Sequence, residues 1–258
     1  MAAPIIRVFP DPEAISGAAA EEFARAAAEA IAARGRFTVA LSGGSTPQRL
    51  YQDLAGPSFR DRIDWSKVEV FWGDERCVPP DHKDSNYRMA NQALLSRVPL
   101  PAAQVHRMEA ERADRAAAAG DYQAVIANTF DLPADGEPPA FDLILLGMGP
   151  DGHTASLFPE TAALGETQRW VVVNYVPKFA TDRLTFTYPI LNRGREVLFL
   201  VAGADKAEPL QEVLEGPPDS RRLPSQAIRP TAGQLLWFVD RQAAARLTHL
   251  PPEASTKG

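Results

Sequence analysis

The residues able to do chemistry gather in segments that each directly follow an apolar run. Ser42-Gly-Gly-Ser-Thr-Pro47 follows Phe37 to Leu41, and Gly73-Asp-Glu-Arg76 follows Val68 to Trp72. Gly147-Met-Gly-Pro-Asp-Gly-His-Thr-Ala-Ser156 follows Phe141 to Leu146, and Gly203-Ala-Asp-Lys206 follows Glu196 to Val201. The first segment has the composition of a phosphate cradle. Gly43 and Gly44 let the backbone approach an anion, Ser42, Ser45 and Thr46 add hydroxyl donors, and Pro47 suits the first position of a helix whose free N–H groups face the ligand. The plainer alternative is a glycine turn with an ordinary Ser/Thr cap. No Gly-Lys-Ser/Thr follows at the spacing of a Walker loop.

Gly147-x-Gly149-x-x-Gly152 has the form of a dinucleotide fingerprint. That motif opens the first βαβ unit and meets an acidic residue about 20 positions on, at the end of the next strand. Here the next apolar run, Trp170 to Val173, ends in Asn174, and Pro150 and Asp151 occupy the turn, so a nicotinamide or flavin site is disfavoured. His153 is expected at or near the start of a helix continuing through Thr154, Ala155 and Ser156. The positive end of a helix disfavours an imidazolium and keeps a neutral ring available as a base. Asp151, two residues earlier, is placed to orient it.

Asp74-Glu75-Arg76 reads either as a solvated turn with a local ion pair or as a site where Arg76 contacts an oxyanion and Asp74 a hydroxyl. Lys206 at a helix start opposes the helix dipole, which fits a nearby anion better than helix stability. His82, His106 and His249 lack metal-ligand spacing with another His, Cys or carboxylate. Cys77 reads as a spectator thiol.

These segments need a frame that brings them together. Asp11-Pro12 offers a cap and a first-turn proline, and Ile15, Ala19, Phe23, Ala27 and Ile31 recur at i+4 before Gly35, which predicts a helix over Pro12 to Ala33. The apolar runs above, with Arg183 to Thr187 and Gln234 to Val239, read as strands, several without polar alternation, as strands covered on both faces require. Helical stretches are expected around Pro47 to Leu54, Ser85 to Leu95, Arg112 to Phe130, Lys206 to Leu214 and Arg241 to Leu247. Alternating strands and helices indicate an α/β fold with a mainly parallel central sheet. Ligands of such sheets bind outside the carboxyl ends of the strands. If the four strands ahead of the chemistry-bearing segments are parallel, their loops meet.

The chain of 258 residues is expected to form a single α/β domain over residues 1–250, with 251–258 as a flexible tail. Its net charge of -6 repels nucleic acid and anionic membranes, so any anionic ligand must be captured by local groups. One cysteine, no apolar leader and no stretch of about 18 apolar residues point to a cytoplasmic location. Oligomeric state is left open.

Taken with Ser85-Asn-Tyr87, Leu157-Phe-Pro159 and Arg183-Leu-Thr-Phe-Thr187, these segments resemble the 6-phosphogluconolactonases of the glucosamine-6-phosphate isomerase/6-phosphogluconolactonase family, over about Ile5 to Val239. Gly147 to Pro159 is the most specific part. The resemblance implies hydrolysis of 6-phospho-D-glucono-1,5-lactone to 6-phosphogluconate in the oxidative pentose phosphate pathway, with no metal or organic cofactor. It also implies a Rossmann-like open sheet of the glucosamine-6-phosphate deaminase type with helices on both faces. In that reading the Ser42 to Pro47 loop, Lys206 and Arg183 hold the 6-phosphate. His153 takes a proton from the attacking water, Asp151 fixes its tautomer, Arg76 stabilises the developing oxyanion, and Asp74 contacts a ring hydroxyl or positions Arg76.

Deaminase relatives carry a glutamate immediately before the proline that closes the histidine segment. This chain has Phe158 there, which cannot do acid/base work and so favours the lactonase. No Gly-x-Ser-x-Gly elbow is present, which argues against an α/β-hydrolase. The competing readings are a deaminase-like isomerase and a sugar-phosphate sensor. The sensor would need a basic helix-turn-helix segment, for which neither end of the chain leaves room.

Overall fold

The computed structural model describes residues 3–249. The expected tail at 251–258 lies outside the described residues. The chain runs β1 (Ile5–Phe9), α1 (Pro12–Arg34), β2 (Phe37–Leu41), α2 (Ser45–Leu54), β3 (Val68–Trp72), β4 (Asp74–Arg76), α3 (Asn86–Ala93) and α4 (Arg115–Thr129). It continues through β5 (Leu143–Leu146), β6 (Val171–Val176), β7 (Thr181–Phe186), α5 (Tyr188–Leu191), β8 (Glu196–Val201), α6 (Ala207–Glu215) and β9 (Gln234–Asp240). Helix starts follow the capping chemistry of the sequence: the carboxylates of Asp11 and Asp114 and the hydroxyl of Ser85 accept from backbone N–H groups in the first turns of α1, α4 and α3. Gly35 ends α1 in the left-handed region at φ 74°.

Strands β1, β9, β8, β5, β2 and β3 form, in that order, a parallel sheet. Its residues alternate between two cores. Val39, Leu41, Val70, Leu143, Leu145, Leu198 and Phe238 pack with α1, α2 and α3, while Ala40, Phe71, Ile144, Leu146, Phe199 and Trp237 pack with α4, α5, α6 and a smaller sheet. Burial on both faces explains why these runs lack polar alternation. From β2 the chain steps outward to β3 and later returns to β5 on the other side of β2, so the strand order reverses between β2 and β5. The crevice at the carboxyl end of such a switch point is where open α/β sheets take ligands. Among the described residues no helix is long and apolar enough to cross a membrane.

Several expected elements differ. Arg183 to Thr187 is not part of the main sheet; it contributes to β7, which pairs antiparallel with β4 and β6 in the smaller sheet. Asp74 to Arg76, expected as a loop, is itself a strand, because Gly73 swings the chain off β3 and across β7. Ile5 to Phe9 is the edge strand β1, with no counterpart among the expected strands. Arg241 to Leu247 forms successive turns and no helix: beyond Ala244 the bonds span three residues, and the Asp240 carboxylate is shared between Ala243 and Gly203 N–H groups.

Candidate active site

The loops after β2 and β5, the end of β8, β4 and β7 enclose a cleft of about 310 Å³. Ser42, Gly43, Gly44, Ser45, Thr46, Asp74, Arg76, His153, Arg183 and Lys206 all line it, joined by Asn86, Met148 and Ala155. Asp151 stands behind the imidazole and lines the neighbouring hollow.

In the β2 loop, Gly44 takes φ 106° and α2 begins at Ser45, so Pro47 occupies the third helical position and not the first. Ser45 and Thr46 therefore open the helix, where N–H groups have no earlier carbonyl to bond. Ser42 differs from expectation. Its N–H donates to the Tyr51 hydroxyl oxygen at 3.0 Å, and that hydroxyl lies 2.8 Å from the Ser42 carbonyl, so the Ser42 backbone is tied to α2 and unavailable to an anion. Its Oγ is buried without a partner. A Cβ on Gly43 would stand 1.9 Å from Asn86 Oδ1, so only glycine lets α3 approach the cradle this closely.

Along β4, side chains alternate. Asp74 faces the cleft, its Oδ2 accepting from Ser156 Oγ at 2.6 Å, while Asn86 Nδ2 donates to its carbonyl at 2.9 Å. Glu75 points the other way and accepts from the N–H groups of Arg76, Asn86 and Tyr87 and from Ser85 Oγ. Burial pushes its carboxyl up, against the pull of these donors. Glu75 thus fastens β4 to the start of α3. Arg76 donates to the Asp84 carbonyl at 2.6 Å and sits directly across from Arg183 in the β4–β7 register. Both Nε atoms are buried without partners. Like charges directly opposite each other are destabilising, and burial, with Arg76 nearby, disfavours the charge on Arg183, against the opposing pull of Asp74 and Glu75. The Arg183 guanidinium lies 5.9 Å from the Phe158 ring centroid and 5.3 Å from that of Phe179. Lys206, in a short turn ahead of α6, pairs with exposed Asp205 at 2.7 Å.

The β5 loop holds His153 without a helix. Gly149 N–H donates to the His153 carbonyl, Gly152 N–H to the Gly149 carbonyl, and Ala155 takes φ 46°, so the expected helix start, and with it the dipole argument for a neutral ring, does not apply. The imidazole is instead held by neighbours. Its Nδ1 lies 2.5 Å from Asp151 Oδ1, its face stacks on Phe158 at 3.9 Å, and Lys178 Nζ reaches Asp151 Oδ2 at 2.9 Å. Although burial works against it, the His153 ring and the Lys178 ammonium hold the Asp151 carboxyl well below the usual carboxylate range. The Asp151 contact fixes Nδ1 as the protonated nitrogen of the neutral ring and leaves Nε2 as its basic atom.

The glycines of the formal dinucleotide fingerprint have other work. A Cβ on Gly149 would come within 2.0 Å of His153 Nδ1, and Gly152 takes φ +74° against Leu223. Asn86, Ser156 and Lys178 are not among the expected site residues: Asn86 and Ser156 enter only within segments that carry the family resemblance, Lys178 is not singled out, and Phe158 is read only as the replacement for the deaminases' glutamate. Among the described residues no three His, Cys, Asp or Glu side chains converge as a metal ligand set.

The family model described as glucosamine-6-phosphate isomerases/6-phosphogluconolactonase matches residues 10–237. A 6-phosphogluconolactonase of Synechocystis is 48% identical over 219 residues, covering 85% of this chain and 88% of the relative. A solved structure of 6-phosphogluconolactonase from Trypanosoma cruzi superposes with a TM-score of 0.83 at 30% identity, covering 95% of this chain and 97% of the other. A monomeric glucosamine-6-phosphate deaminase shares the fold, with a TM-score of 0.77 at 21% identity over 94% of this chain and 99% of the other. The Asp-held imidazole and the helix-start loop that share the cleft thus stand in a scaffold matched over most of its length, and the chain belongs to the glucosamine-6-phosphate isomerase/6-phosphogluconolactonase family.

Proposed function

We propose that this cleft hydrolyses 6-phospho-D-glucono-1,5-lactone to 6-phosphogluconate. The observation that carries the reading is the pairing, in one cleft, of an imidazole whose Nδ1 is committed to Asp151 with a cradle and two guanidiniums whose Nε atoms are buried without partners, a set suited to a small anion. The N–H groups of Ser45 and Thr46, the hydroxyls of the β2 loop, Lys206 and Arg183 bind the phosphate. Water then loses a proton to His153 Nε2 as its oxygen bonds to the lactone carbonyl carbon. Arg76 stabilises the negative charge that develops on the carbonyl oxygen, and Asp74, anchored by Ser156, contacts a ring hydroxyl or positions Arg76. When the tetrahedral intermediate collapses, the ring C–O bond breaks and the imidazolium returns its proton to the departing ring oxygen. The carboxylic acid product releases its own proton to solvent.

Phe158 weighs against the deaminase-like alternative. At the place where deaminase relatives carry a carboxylate, this chain stacks an apolar ring on the imidazole. The test is the decay of freshly generated lactone with and without protein, beside ammonia release from glucosamine 6-phosphate. Decay accelerated by the parent chain, lost in His153→Ala, and no ammonia is the expected result. A parent chain no faster than the spontaneous reaction overturns the reading.

A further inference from the structure

The hairpin joining β6 to β7 reaches the Asp151–His153 pair from a sheet to which neither residue belongs. Its tip, Pro177 to Ala180, closes with Ala180 at φ 49°, a left-handed conformation that non-glycine residues rarely adopt. The turn presents adjacent side chains to the two halves of the dyad. Lys178 Nζ lies 2.9 Å from Asp151 Oδ2, and Phe179 meets Phe158 edge to face at 5.7 Å, the same Phe158 whose face stacks on the imidazole. The Asp151 oxygens are divided between two partners, Oδ1 to the His153 ring and Oδ2 to the Lys178 ammonium.

We infer that Lys178 is a positioning residue for lactone hydrolysis: by holding Asp151 Oδ2 it fixes the carboxylate so that Oδ1 keeps the His153 Nδ1 proton and leaves Nε2 for water. This rests on the lactonase reading above. An isolated surface ion pair contributes little to stability. This one differs in that Asp151 is half-buried and its second oxygen is bonded to the proposed base, so its effect falls on the chemical step. The charges around the imidazole are Asp151 on its own loop, Lys178 and Arg183 from the hairpin, Asp74 and Arg76 on β4, and Lys206 ahead of α6. Removing one cation from this set changes the field at the dyad, so the kcat–pH profile is a readout that a merely structural role would not move.

The test compares the parent chain, Lys178→Met, Lys178→Arg and His153→Ala in the lactone assay across pH, with thermal melts of each. Lys178→Met is expected to lower kcat about fivefold with KM within about twofold and to alter the kcat–pH profile, and Lys178→Arg to restore both. Lys178→Met with parental kcat and profile overturns the role of Lys178 while leaving the lactonase reading intact. A loss confined to KM, a loss that Lys178→Arg does not restore, or a Lys178→Met chain that fails to fold overturns it in favour of a binding or structural role. A parent chain no faster than spontaneous decay overturns the lactonase reading and the role of Lys178 with it. His153→Ala then separates the outcomes: loss there beside unchanged Lys178→Met isolates the failure to the lysine.

Discussion

At the amino end of the parallel sheet, Asp142 accepts from the Thr38 N–H and hydroxyl at 2.8 Å each and pairs with Arg34 at 2.9 Å, whereas at the carboxyl end Arg76 and Arg183 face each other with both Nε atoms unpartnered. Charge at the first end is matched within the chain and ties α1 and β2 to the start of β5. At the second end two like charges face each other and both guanidiniums keep a buried, unpartnered Nε, at a cost the rest of the fold must offset. The difference teaches where to look for function: unmatched polarity is informative only against a background where the same residue types are matched.

The largest expected effects fall where this contrast is sharpest. His153→Ala should lower kcat by about 10²- to 10⁴-fold, the usual range for a general base, with a melting temperature close to the parent's. A melt well below the parent's would show the imidazole to be part of the framework. Asp142→Ala should do the reverse, losing about 3 kcal/mol because the Thr38 donors and Arg34 are left without their acceptor. Urea unfolding measures it, and kcat of the folded fraction should not change. Equal stability in Asp142→Ala would remove the distinction between the two ends.

Arg183→Met probes the second end directly. It removes a buried guanidinium that Arg76 repels and that burial disfavours. The expected result is a KM about tenfold higher, about 1.4 kcal/mol of binding, with stability unchanged or slightly raised. A lower melting temperature at unchanged KM would mean that the aromatic contacts with Phe158 and Phe179, and not a ligand, are what the arginine serves.

Much of this was legible because fully buried strands announce themselves. Val68 to Trp72 and Glu196 to Val201 carry apolar runs that solvent-facing segments would not, and their bounds match β3 and β8. The glycine-rich loops could be placed at the carboxyl edge for the same reason. Other features depend on pairing across long separations. Asp74-Glu75-Arg76 looks like a turn until β7, more than 100 positions later, supplies its partner. Lys178 lies 27 positions from Asp151, at no spacing that implies contact. The expected helix at His153 failed on backbone conformation: Thr-Ala-Ser suits a helix start, and nothing in those residue types reveals that Ala155 is left-handed. Ten of the eleven expected site residues are singled out by type and by their place after a strand, and Arg183 by the family resemblance; the Asp151–His153 contact is expected from spacing, but those of Asp74 with Ser156 and of Asp151 with Lys178 are not.

Glu196 is the exception at the matched end and gives the sharpest test. It pairs with Arg25, which also holds Glu22, but its Oε1 is buried without a partner. Burial first, then the neighbouring Glu22 charge, push its carboxyl up from 4.5 to about 7, against the pull of Arg25. Because the folded value is the higher, the folded state binds the proton more tightly than the unfolded one. The stability this confers is fully present below about pH 4.5 and is lost as pH rises through about 7. Glu196→Gln removes the titration while leaving an oxygen for Arg25 and placing an amide donor beside Glu22. Relative to the parent, the variant should gain up to about 2–3 kcal/mol between pH 5 and pH 8, read from denaturant unfolding at both. A difference between variant and parent that is the same at both pH values would show that Arg25 neutralises Glu196 fully, and that the amino end of the sheet is matched without exception.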